Sequence, residues 1–218
     1  MALVNRDIDG AIATITMNRP DKRNAMSDAF IAELESAFAT LPSDVKVVIL
    51  TGAAGHYCAG LDLAEHKERS AEEGIYHSRN WHRILDLIQF GGRPVVSAMF
   101  GAVIGGGLEI ASATHVRIAE PSTIFQLPEG RRGIFVGGGA TVRVGRILGA
   151  DRMTEMMLTG RKYSSAEALQ LGLTHYAVGE GEALDMAGDL AGKISRNAPL
   201  SNYFMIQALA RIEDMSKA

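Results

Sequence analysis

The sequence predicts an α/β domain built on a mainly parallel sheet, and three observations predict it. Short, β-branched and nearly all-apolar runs at 45–50 and 93–99 read as strands covered on both faces. Segments of helical period separate them, and strands joined in sequence through helices favour right-handed crossovers. A chain of 218 residues, 47% hydrophobic, buries a core large enough for one such domain.

Residues 3–17 alternate apolar and polar around Asp9-Gly10, a hairpin signal. Asn18-Arg19-Pro20 ends it, since the proline ring removes a donor and restricts the residue before it. Ser27 caps a helix whose apolar face is Phe30, Ile31, Leu34 and Phe38. After the strand at 45–50 comes a loop from Gly52 to Gly60, and Asp62 with Glu65 reads as a capping box starting the next helix. That helix-prone stretch runs to Gln89, with Trp81, Ile84, Leu85 and Ile88 at helical spacing. The strand at 93–99 leads into a glycine-rich turn, a helix carrying Glu109 and a strand at 115–119. Ser164 or Ser165 caps a helix that Gly172 ends, and the chain from Glu182 onward is largely helical. Residues 1–180 are therefore expected to form the core with the active site, and 181–218 a helical C-terminal region.

Composition narrows the function classes. A formal net charge of −3 gives no reason to expect nucleic acid or an anionic membrane as partner. The single cysteine, Cys58, excludes an internal disulfide framework and fits a reducing, cytoplasmic setting. The histidines show no HExxH spacing, so no metal site is expected. No apolar run approaches the roughly 18 residues of a membrane span.

Gly105-Gly106-Gly107-Leu108-Glu109, followed by Pro128-Glu129-Gly130, carries the chemistry. Glycines opening a helix leave bare backbone amides that a ligand can approach closely. Such amides stabilise a developing oxyanion, and two carboxylates can divide acid and base duties. GxGxxG spacing and a Lys-Ser/Thr pair are both missing, which argues against a dinucleotide site or a P-loop.

With Asn18-Arg19-Pro20, Arg23-Asn24-Ala25, Cys58-Ala59-Gly60-Leu61-Asp62 and Phe125-Gln126-Leu127-Pro128-Glu129, these motifs resemble the crotonase (enoyl-CoA hydratase/isomerase) superfamily. Met156-Met157-Leu158-Thr159-Gly160 and the segment 166–173 are similar to a later tract of that family, so the matches run in order from about residue 3 to 178. The resemblance implies a spiral of ββα units with a helical C-terminal trimerisation region, assembled as a homotrimer or dimer of trimers. It implies an acyl-CoA substrate and no separate cofactor, since coenzyme A belongs to the substrate. It further implies an oxyanion hole from the amides of Leu61 and Gly106, with Glu109 as base and Glu129 as acid. Coenzyme A contacts fall to Arg23, Ala25, Ala59, Leu61, Asp62 and Leu63, and the acyl pocket to Trp81 and Phe135. The helix N-terminus is expected to favour ionised Glu109, and burial beside a like charge to raise the pKa of Glu129.

The chain departs from the family at Gly130-Arg131-Arg132-Gly133, where many hydratases are apolar, and at Val136, where proline is usual. The arginines are read either as a solvated charge pair or as groups that hold Glu129 ionised. Retention of both glutamates points to a 2-enoyl-CoA hydratase. A hydroxycinnamoyl-CoA hydratase-lyase, a Δ3,Δ2-enoyl-CoA isomerase and a non-catalytic CoA-binding scaffold are the alternatives.

Overall fold

In the computed structural model, which describes residues 2–64 and 70–214, the chain winds through repeated strand–strand–helix units. The hairpin forms as expected: β1 (Val4–Asp9) and β2 (Ile12–Met17) pair antiparallel across a turn at Gly10, whose φ of 54° suits glycine. In β2 every second residue, Ala13, Ile15 and Met17, points into the core. Helix α1 (Asp28–Ala39) starts at Ser27, whose hydroxyl accepts from the Phe30 N–H, and it buries the four predicted apolar residues.

The next strand, β3 (Val47–Gly52), is buried along its whole length. Helix α2 (Ala71–Phe90) opens on a capping box between Ser70 and Glu73. The helix thus starts later than Asp62; the expected Asp62–Glu65 box involves Glu65, which lies outside the described residues, and Asp62 itself pairs with Arg19 and accepts from the Ala64 N–H. Strands β4 (Val95–Met99) and β5 (Ala102–Ile104) then precede α3 (Gly106–Ser112). β6 (Val116–Ala119) and β7 (Ile124–Gln126) repeat that pairing before α4 (Ala140–Leu148) and α5 (Ala150–Thr159). β8 (Tyr163–Ser164), α6 (Ser165–Leu171), β9 (Tyr176–Ala177), α7 (Ala183–Ser195) and α8 (Pro199–Ala208) complete the path.

Two sheets result. The larger has six strands in the order β1-β2-β3-β4-β6-β9, parallel except for β1; the smaller is β5-β7-β8. Two successive turns, β4/β5 and β6/β7, each place one strand in either sheet, as a ββα repeat does, whereas β1 and β2 both join the larger sheet. The main core fills the space among the sheets, α1, α2 and α3. A second cluster lies where Ala183, Ala187 and Ala191 of α7 cover Val47, Ile49, Val96, Ala98 and Ile118. Small alanines let that helix sit close to the β-branched sheet face.

Candidate active site

Two chain segments converge on the start of α3. The segment 58–62 is laced on one side to residues 23–26, through Ala59 N–H to Arg23 O, Met26 N–H to Gly60 O and Asp62 N–H to Met26 O. On its other side it is laced to β5, through Cys58 N–H to Ala102 O and Ile104 N–H to Cys58 O. Asn24 ties this corner together. Fully buried at a positive φ of 58°, it donates from its amide to the carbonyls of Ala53 and His56 and accepts from the Arg19 N–H. Asparagine tolerates that backbone conformation better than most residues.

Leu61 and Gly106 emerge from this lacing with no hydrogen-bond partner for their N–H groups among the described residues. Gly106 is the first residue of α3, where helical amides lack an internal acceptor. The two segments touch: a Cβ at Gly60 would lie 3.4 Å from Gly106 N and 2.6 Å from Ile104 O. A Cβ at Gly106 would come within 2.4 Å of Met26 Cε and 3.0 Å of Trp81, so a larger residue there would have to displace the end of the Met26 side chain. Gly105 holds the turn at φ 54° and ψ −122°.

Glu109 sits in the first turn of α3 and is 3% exposed. Its Oε1 accepts two backbone N–H groups, from Gly138 at 2.8 Å and Ala140 at 3.0 Å. Burial raises its pKa; the amides of Ala140 and Gly138, and the charges of His82 and Arg143, pull the other way. The net direction is opposite to the helix-dipole expectation, because desolvation of a nearly enclosed carboxylate outweighs a short helix's field.

Glu129 stands on the 3-10 turn Glu129–Arg132, after Pro128. It is 7% exposed and its Oε2 is buried without a partner. Its pKa is pushed up to about 7, chiefly by burial, with a further push from the Glu109 charge. The carboxyl occupies room left by Gly105, where a Cβ would lie 2.8 Å from Oε1. Arg131 donates to the Thr159 carbonyl and lies against Gly160, and the raised pKa of Glu129 traces to burial and to Glu109 rather than to an arginine.

Both glutamates line one cavity of about 1100 Å³, together with Leu61, Gly106, Trp81 and Phe135. Ala59 and Leu63 line it as well. Phe135 is 69% exposed at its edge, whereas Trp81 is buried in its wall. Arg23, Ala25 and Asp62 are not on this wall. The Asp62 side chain turns to Arg19 Nη1 at 2.9 Å and accepts from the Ala64 N–H, latching the loop instead of facing the cavity. His66 lies outside the described residues, and His56 accepts from the Ala102 N–H through Nδ1.

The cradle of Glu109 at 138–140 is what sequence reasoning missed. Its signal was present in Gly137-Gly138-Gly139 just before a helix, another run of bare amides.

Known proteins agree with this architecture. The family model described as enoyl-CoA hydratase/isomerase matches residues 7–217. The human enoyl-CoA hydratase domain-containing protein 2, mitochondrial, is 39% identical over 201 residues, covering 88% of this chain and 68% of that protein. Enoyl-CoA hydratase EchA19 of Mycobacterium tuberculosis is 33% identical over 219 residues, with 98% and 82% covered. A crystal structure from Rhodopseudomonas palustris CGA009, provisionally named an enoyl-CoA hydratase, superposes with a TM-score of 0.96 at 46% identity, covering 99% of this chain and 83% of that one. The chain belongs to the enoyl-CoA hydratase/isomerase family and has the crotonase fold.

Proposed function

We propose that the protein is an enoyl-CoA hydratase that adds water across the α,β double bond of a 2-enoyl-CoA thioester. The observation that carries this reading is the meeting of two buried carboxyls with two partnerless backbone amides around one cavity. The thioester oxygen accepts from Leu61 and Gly106 N–H, which stabilise the enolate charge that builds there; one such donor is worth roughly 2.7–4 kcal/mol. Glu109, gripped through Oε1, keeps Oε2 for a water molecule and takes its proton as the oxygen bonds to Cβ. Glu129, with its raised pKa, delivers a proton to Cα. Water is consumed whole, the double bond becomes single, and a 3-hydroxyacyl-CoA leaves. Proton exchange with solvent restores both glutamates.

The backbone of 59–63 receives the pantetheine, with Leu63 at the cavity's edge, and Trp81 and Phe135 flank the acyl group. Arg23, exposed beside this loop, is the candidate for the nucleotide phosphates. Self-assembly into a homotrimer or a dimer of trimers completes the reading, supported by the exposed apolar residues of the C-terminal helices.

Crotonyl-CoA tests it. The expected result is loss of the conjugated thioester absorbance with formation of 3-hydroxybutyryl-CoA. Aldehyde and acetyl-CoA released from feruloyl-CoA, without crotonyl-CoA turnover, would indicate the lyase. Coenzyme A binding without turnover of either would indicate a scaffold.

A further inference from the structure

We propose that Arg143 is a positioning residue for Glu109: its guanidinium fork ties the Gly138 carbonyl to helix α2 and so fixes the two amides that grip the carboxylate. This rests on the reading of Glu109 as the base. Arg143 is buried in the first turn of α4, and its side chain spends its donors in three directions. Nε donates to Gln89 Oε1 at 2.7 Å, Nη2 to Asp86 Oδ1, and Nη1 to Gly138 O at 3.0 Å. Gln89 and Asp86 lie on α2, while Gly138 supplies one of the two N–H groups on Glu109 Oε1. Ser78, also on α2, donates to the neighbouring Gly137 carbonyl at 2.7 Å. The turn 137–140 is thus tied to α2 at two adjacent carbonyls, Gly137 directly and Gly138 through Arg143.

The fit leaves no slack. A Cβ at Gly139 would come within 2.4 Å of Arg143 Nη1, and one at Gly138 within 2.8 Å of Glu109 Oε2. A planar fork can serve these divergent acceptors at once; an ammonium group cannot. The charged groups around the pair are few. Glu109 is faced by Arg143 from α4, His82 from α2 and Glu129 from the 3-10 turn. Arg143 is faced by Asp86 of α2, Glu109 of α3 and Arg146 of its own helix.

The test compares Arg143→Gln, Arg143→Lys and Asp86→Asn with Glu109→Gln on crotonyl-CoA across pH, with Tm recorded for each. Arg143→Gln is expected to lower kcat up to about 100-fold, as a misplaced catalytic group does. KM should stay within about threefold. The acidic limb of kcat/KM should move to higher pH, because a nearby positive charge no longer favours ionised Glu109. Asp86→Asn, at a carboxylate that is largely exposed, should show the same pattern at smaller amplitude. Arg143→Lys should return the acidic limb without returning kcat. Wild-type kcat in folded Arg143→Gln, or in Asp86→Asn if the former fails to fold, overturns the proposal, as does full kcat in Arg143→Lys. A wild-type rate in Glu109→Gln would instead remove the reading beneath it.

Discussion

The Glu129 carboxyl is the residue whose environment makes the sharpest demands. Its pKa of about 7 in the fold stands above the ordinary carboxylate value of 4.5. A carboxyl raised in this way contributes stability that is fully present below the unfolded value and is lost as pH rises through about 7. Glu129→Gln is therefore expected to raise Tm relative to wild type at pH 8 and to do so much less at pH 5. Equal differences at both would contradict the burial argument. Gly105 makes the room for this carboxyl, so Gly105→Ala meets both a strained φ of 54° and the Glu129 oxygen. Backbone strain of about 1–3 kcal/mol and a fall in kcat are expected, read by denaturation and by crotonyl-CoA turnover. These roles were partly legible. Motif glycines and acids stand in the sequence, but the grip on Glu109 comes from residues about thirty positions away, a contact that no local pattern encodes.

Elements with periodic faces and caps were the readable part. Ser27 and Ser164 both accept from the backbone as expected, the latter in a capping box with Glu167, and Gly172 closes α6 in the left-handed region. Ser164→Ala should cost about 1 kcal/mol in denaturant unfolding and leave kcat unchanged, since it lies outside the cavity. The start of α2 was misread because Asp62 and Ser70 both offer capping chemistry. Tertiary pairing with Arg19 claims Asp62, and propensity alone does not register that. The short strands of the second sheet, β5, β7 and β8, were too brief to carry a period and were found only through their pairing.

For the whole molecule, the spiral was legible through ordered motifs, whereas the C-terminal surface was not. Leu200, Phe204, Leu209 and Ile212 are all more than half exposed, and the proposed self-assembly would bury apolar side chains of this kind. Sedimentation is expected to give three or six times the 23.3 kDa chain, and Leu209→Glu to shift the mass downward. A wild-type species at the chain mass would contradict self-assembly.

The central claim is that Glu109 and Glu129 act as one unit on a single water. Crotonyl-CoA hydration by Glu109→Gln, Glu129→Gln and the double variant tests it most directly. Each single variant is predicted to lose roughly 10²–10⁴ in kcat, and the double variant to lose little more than the worse single one. A wild-type rate in either single variant, or full additivity in the double, would contradict it.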